Sequence, residues 1–488
     1  MREMDRISAK SLNWMTLAAI TALATVLRLW QINESLWVDE LHTSWCLQGG
    51  LSQVAERAAA GNQSPLYFWF LWGVTRVLGE SEFTLRLPSL LAGIALPGMT
   101  WLLVQRMGLG EKTLLSAVLA SLLVSVDHAS NFYSTEARPY ALVELASTGA
   151  MILALESLRG GIVWRAALVA TLVALFYLHY TTALFIGGLI GCFLVQSFFN
   201  KEGKPSGWKV WLVIGGTITV CCLPASLQLL EISARRGNWT AFADNFSPAR
   251  VYIPLVVLLA LWSPLPPRRV LLTAAACLIP AIAAAGLTWW QIAAVFQTRY
   301  IVVTFPLLWA SIAAASQVSD HPRARQVAAL VSLAVAIWWS GLVENCWNYG
   351  RPFVDRQEEW RSAMDAAEQE YRLHRGWKVL VHSGLIETNE LRENPTPPLR
   401  EYSLLPVRAL YKLDAPDTAL IPLPMTDPER LTEETRDAII QAGGAVVILR
   451  LSVIDAEPVA QELDNFGIIK KQSFGGVQVI AVQASIEP

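Results

Sequence analysis

Long apolar runs dominate this chain and leave it few ways to fold. A helix needs about 20 apolar residues to cross a bilayer, and eleven runs approach that length: 14–32, 84–105, 113–128, 139–157, 163–179, 181–199, 209–230, 250–264, 270–289, 300–317 and 326–343. Only 16% of the 488 residues are charged, against about a quarter in soluble domains. Charged residues are dense after Trp347, whereas residues 165 to 345 are almost continuously apolar. The chain therefore reads as a polytopic α-helical membrane protein over 1–345, followed by a water-soluble domain over 346–488. A net charge of −2 gives no reason to expect a nucleic-acid partner. Membrane lipids are the expected surroundings. Trp30, Trp164, Trp289, Trp290 and Trp347 fall where apolar runs end, which suits interfacial anchoring.

The run 65–78, PLYFWFLWGVTRVL, is short, begins with proline and carries Arg76. Loop charge decides its place. If it does not cross and the N-terminus is cytoplasmic, the cytoplasmic loops carry Arg106 and Lys112, Arg159 and Arg165, Lys201, Lys204 and Lys209, Arg268 and Arg269, and Arg323 and Arg325. That is the positive-inside bias. Residues 65–78 are then an interfacial helix on the outer side. Eleven spans put the tail outside the cytoplasm, and the first run reads as a retained signal-anchor helix.

In the tail, Lys378–His382, Ala445–Leu451 and Val477–Val482 read as strands. A helix is expected over Thr432–Gln441, capped by Thr432 and stopped by Gly443-Gly444. The tail is thus α/β, with a surface loop over Asn394–Pro398. Four of the six cysteines lie in apolar runs. Cys46 and Cys346 flank membrane segments, and a disulfide between them is open.

Ionisable residues at membrane depth are costly, so their positions carry information. On this topology they collect at the outer ends of the helices. Asp39 and Glu40 lie in SLWVDELHTSW, and Asp127 and His128 precede NFYSTEARPYAL, with Glu136, Arg138 and Tyr140. His179-Tyr180 end the fifth span and Arg299-Tyr300 begin the tenth. Each has a plain structural reading: a solvated turn or cap for Asp39-Glu40, a salt bridge for Glu136–Arg138, an anchor for Arg299, a packed His179. The chemical reading is a carboxylate base beside guanidinium groups that pair with phosphate oxygens. Glu40, His42 and Glu136 leave a divalent metal open, although no spacing argues for one. Together the groups suit a sugar on a polyprenyl phosphate, with Asp39 deprotonating an acceptor and Arg138 and Arg299 taking up phosphate charge. A flippase or transporter of a lipid-linked saccharide is the alternative. It predicts repeated halves and helices broken at the midplane, and neither is evident. A non-catalytic scaffold for the tail leaves the outer-face charges without a role.

The order SLWVDELHTSW, SPLYFWFLWGVTRVLGESEFTLRLPSLLAG, NFYSTEARPYALVELAS, HYTTALF and QTRYIVVTFPLL resembles the bacterial GT-C membrane glycosyltransferases. The nearest group contains the protein O-mannosyltransferases and the lipid A aminoarabinose transferase. The likeness covers most of 14–317. It implies a GT-C fold of about eleven spans plus a juxtamembrane helix at 65–78. It also implies a polyprenyl-phosphate sugar donor used at the periplasmic face. The acidic pair falls on Asp39 and Glu40, with Asp39 as base. The donor-phosphate contacts fall on Arg138, Arg299 and Tyr300, with Glu136, Tyr140, His179 and Tyr180 near the substrate. One motif departs: Gln63-Ser64-Pro65 stands where that group has a cation before Pro-Pro, so the sugar and the acceptor stay open. The resemblance does not extend to the tail after about 344.

Overall fold

The computed structural model describes residues 2–198, 207–236, 249–262, 267–353, 356, 358–393, 396–454, 457–464 and 466–484. Lys201, Lys204, Asn394 and Pro395 lie outside them. The chain forms two compact units whose segments interleave. The first comprises Met1–Ile32, Gln63–Tyr67 and Arg86–Val354; the second comprises Asn33–Asn62, Phe68–Leu85 and Asp355–Pro488.

Each apolar run is helical, because hydrocarbon leaves the backbone no partner but itself. In chain order the helices are α1 (Arg2–Leu29), α2 (Val38–Cys46), α3 (Leu51–Ala60), α4 (Pro65–Leu78), α5 (Glu82–Met107), α6 (Thr113–Val126) and α7 (His128–Ser134). There follow α8 (Tyr140–Ser157), α9 (Ile162–Leu178), α10 (Ala183–Phe198), α11 (Gly207–Arg236), α12 (Ala249–Trp262) and α13 (Arg268–Trp289). The bundle closes with α14 (Thr298–Ile301), α15 (Phe305–Ser316), α16 (Pro322–Trp339) and α17 (Leu342–Tyr349). Among the described residues, seven helices are long and apolar enough to cross a membrane, or nine if two bent pairs each count once. Ile162–Leu178 and Ile253–Trp262 are shorter apolar helices. The chain is a multi-pass membrane protein. Helix α4 is not among the candidate spans, and all five interfacial tryptophans are exposed.

The bends have local causes. The pair α6–α7 turns by 60° at Asp127, whose carboxylate caps α7 through the Ser130 N–H at 2.8 Å. The indole of Trp309 on α15 donates to the other oxygen at 3.0 Å. The pair α16–α17 turns by 46° at Gly341, which sits at φ +66, a left-handed position that a side chain would strain. Helix α15 is the buried centre of the bundle, with every residue from Phe305 to Ser316 buried.

In the second unit a five-stranded sheet runs β2-β1-β3-β5-β4, with β1 (Lys378–His382), β2 (Leu420–Pro422), β3 (Gly444–Arg450), β4 (Ile468–Phe474) and β5 (Val477–Gln483). Strand β1 is parallel to β2 and β3, and β5 is antiparallel to β3 and β4. Three strands match the sequence reading to within a residue. The helix Glu433–Ala442 is capped by Thr432 and ends at Gly443, at φ +76. Strands β2 and β4 were not expected: β2 is three residues long, and the lysines of β4 are solvent-facing. No described cysteine is in a disulfide, so the open Cys46–Cys346 pairing is not formed. Cys46 is buried with its sulfur 3.3 Å from His42 Nε2, and Cys346 is exposed.

Candidate active site

Within the bundle, the ends of α8, α9 and α14 bring most of the expected residues together. Pro139 precedes α8, and the Arg138 N–H donates to the Glu136 carbonyl at 2.8 Å, which closes a tight turn before the helix. The Arg138 carbonyl accepts from Ser89 Oγ at 2.9 Å, so the turn is tied to α5. Helix α9 stops at His179, whose extended backbone swings the chain into a short 3-10 turn over Tyr180–Thr182. Its ring nitrogen Nδ1 lies 2.7 Å from Thr181 Oγ1.

Four aromatic rings then line up. Tyr133 and Tyr140 stand 4.9 Å apart, Tyr140 and His179 5.4 Å, and His179 and Tyr300 5.6 Å between ring centres. The Arg299 guanidinium lies 5.0 Å over the Tyr300 ring and donates to Gln297 Oε1 at 3.0 Å. Tyr140 feels the charges of Arg299, Arg138 and Glu136. Two guanidinium groups, tyrosine hydroxyls and the N-terminus of an 18-residue helix thus share one locality. That arrangement favours an anion. Glu136, Arg138 and Tyr140 are buried, whereas Arg299 is half-buried. Tyr180 joins a different neighbourhood: its ring is 5.4 Å from Phe176, and its hydroxyl meets Ser64.

Asp39 and Glu40 belong to the second unit, on the first turn of α2. They are not equivalent. Glu40 is fully buried and accepts the Trp37 N–H, at 3.4 Å, while Arg356 lies 4.0 Å away. Asp39 is half-buried between two buried neighbours. The geometry separates a carboxylate that builds the helix start from one that meets the surroundings.

Several buried or long-range-bonded groups escaped the sequence reading. Arg28 and Glu144 are fully buried in the bundle, with the Glu144 carboxylate accepting from Ser130 Oγ at 2.8 Å. Their signal was present: each is a charge inside an apolar run. Glu358, Arg361 and Tyr411 all bond to the α2 segment from beyond residue 355, and no local pattern announces them. Among the described residues no group of three or more His, Cys, Asp or Glu is placed to hold a metal ion, so Glu40, His42 and Glu136 form no such cluster.

The fold is of the GT-C type, like that of the solved proteins ArnT and AglB. Residues 62–227 match the family model described as dolichyl-phosphate-mannose-protein mannosyltransferase. The fold is similar to apo ArnT from Cupriavidus metallidurans (TM-score 0.53, 12% identity, 97% of this chain and 98% of that one). It is similar to the same protein bound to undecaprenyl phosphate (TM-score 0.54, 12% identity, 98% and 99%). The archaeal oligosaccharyltransferase AglB from Archaeoglobus fulgidus, in complex with an inhibitory peptide and a dolichol-phosphate, also matches (TM-score 0.52, 9% identity, 98% and 75%). No curated protein matches the sequence.

Proposed function

We propose that this chain is an inverting glycosyltransferase. It moves a sugar from a polyprenyl-phosphate donor to a lipid, glycan or protein acceptor at the outer face of the cytoplasmic membrane, with residues 346–488 extracytoplasmic. The observation that carries the reading is the convergence of Arg138, Arg299, Tyr140, His179 and Tyr300 in one locality.

The reaction follows from the groups. Asp39 accepts the proton of an acceptor hydroxyl or amine, and that atom attacks the anomeric carbon from the side opposite the phosphate. The bond from the anomeric carbon to the phosphate oxygen breaks, and its electron pair stays on the phosphate. Arg138 and Arg299 offset the charge that develops there, with Tyr300 alongside. Glu136 orients Arg138, while Tyr140 and His179 shape the sugar's surroundings; Tyr180, expected beside them, packs elsewhere. Glu40 fixes the start of α2. A groove of about 540 Å³ between α5, α8 and α9, lined by Met99, Leu102, Leu142, Leu145 and Ile152, suits an isoprenoid chain. Both lipid phosphates named above are bound by proteins of this fold.

Mass spectrometry of products formed from a panel of polyprenyl-phosphate sugars tests the activity, and transfer from none of them contradicts it. Arg299→Ala is expected to weaken donor binding about tenfold, the scale of one charge-assisted contact. An unchanged donor affinity would make Arg299 only an anchor.

A further inference from the structure

Helix α2 has no acceptor on its N-cap side chain, and from within the helix only Glu40 reaches back, to the Trp37 N–H. Trp37 occupies the N-cap position, and an indole only donates. The first amides of a helix need acceptors from elsewhere; here the Val38 amide, and the Leu36 amide just before the helix, find theirs more than 300 residues away in sequence. The Val38 N–H donates to Glu358 Oε2 at 3.1 Å, and the Leu36 N–H donates to the Tyr411 hydroxyl at 2.9 Å. The Tyr411 O–H in turn donates to Glu82 Oε1 at 3.0 Å. Arg361 closes the other side: its N–H donates to Ser35 Oγ at 3.1 Å and its guanidinium to the Asn33 carbonyl at 2.8 Å.

Glu358 is itself immobilised. Trp360 Nε1 donates to Oε2 at 2.9 Å, and Arg450 Nε and Ser452 Oγ donate to Oε1 at 2.8 and 3.0 Å. Its backbone bridges to Gly475 in the β4–β5 turn. With Val38 counted, four donors hold one buried carboxylate. The next residue along from Val38 is Asp39. The far face of α2 is also covered, with Tyr402 in edge contact with His42 and Trp45, each at 5.6 Å.

We propose that the C-terminal α/β part of the second unit serves as the mould for the catalytic loop, with Glu358 the chief positioning residue for Asp39. The inference rests on the reading of Asp39 as the base. A base must be held within about 0.5 Å of its working place, and a displacement near 1 Å costs about a hundredfold in rate. A carboxylate gripped by a sheet, a tryptophan and an arginine gives the Asp39 backbone that precision. Neither Glu358 nor Tyr411 touches substrate; both act through the α2 backbone.

The test uses full-length protein in vesicles with polyprenyl-phosphate sugars. Glu358→Ala is expected to lower kcat about a hundredfold, with the donor KM unchanged. Glu358→Gln, whose amide oxygen still accepts from Val38, restores most of it. Tyr411→Phe, which removes one hydroxyl and no charge, lowers kcat about threefold to tenfold. It carries the test if Glu358→Ala fails to fold with Arg450 left unpaired. Hydrogen exchange at Leu36 and Val38 gives a readout independent of activity, expected to rise at least about tenfold in Tyr411→Phe and Glu358→Ala. Folded variants with wild-type kcat and unchanged exchange overturn the proposal, as does a loss confined to donor KM. Asp39→Asn run in parallel separates the two readings. If it transfers sugar normally, the base assignment fails. If it is inactive while the Glu358 and Tyr411 variants behave as wild type, only the positioning role fails.

Discussion

Two buried charges, Glu358 in the second unit and Arg28 in the bundle, are held in opposite ways. In the second unit, Glu358 has a hydrogen-bond donor on every side, and Arg450 pairs with it at 2.8 Å. In the bundle, Arg28 donates to the Ala24 carbonyl at 3.2 Å, and Nε and Nη2 have no hydrogen-bond partner among the described residues, nor has Glu144 Oε2. There the compensation acts through space, from Glu144 and Asp127 upon Arg28. A fully bonded network fixes one geometry. Charges that meet only through the field are held by the packing around them, such as Gly93, where an added Cβ would lie 2.8 Å from Arg28 Nε. The rigid device sits beside Asp39, and the looser one lies in the bundle beneath the α7 cap.

The largest effect is expected where that compensation is broken. Glu144→Leu strips Arg28 of a counter-charge and Ser130 of its acceptor, and is expected to destabilise the bundle by about 3–5 kcal/mol. Adding Arg28→Met should recover most of the loss. A detergent denaturation series that shows the double variant no better than the single would break the contrast.

The second unit has a pH dependence of its own. Burial, with the Arg450 charge adding to it, pushes His382 down to about 4 from its ordinary 6.5. The folded state therefore keeps His382 neutral while the unfolded chain takes up a proton. Stability is complete above about pH 6.5 and falls as pH drops toward 4, by roughly 3 kcal/mol in all. His382→Asn should flatten that slope in hydrogen exchange of β1 and β3. A slope that survives the substitution points to another group.

The smallest effect belongs to the surface. The Arg57–Glu401 pair at 3.1 Å has half of its Glu401 side chain exposed. A double-mutant cycle there should return less than about 1 kcal/mol. A larger coupling would mean that α3 is part of the mould.

What the sequence disclosed follows the range of the interactions. Apolar runs, the Thr432 cap and the Gly443 stop are local signals, and each marks a helix where one forms. Strands β1 and β3, buried along their length, read as β-branched runs; β4, with Lys470 and Lys471 outward at a sheet edge, does not. The bundle's candidate residues were visible because charges at membrane depth are rare. Glu358 and Tyr411 were not, because an acid or a phenol in a polar tail is ordinary until the fold carries it to residues 36–38. For the same reason a cut at 345 follows chain order, while the second unit also takes in 33–62 and 68–85.

The most direct measurement is sugar transfer by Asp39→Asn in reconstituted vesicles, followed together with polyprenyl-phosphate binding. Transfer is expected to fall by at least about a thousandfold, within the range for loss of a general base, while lipid binding stays near wild type. Transfer at the wild-type rate would contradict the role of Asp39 as base.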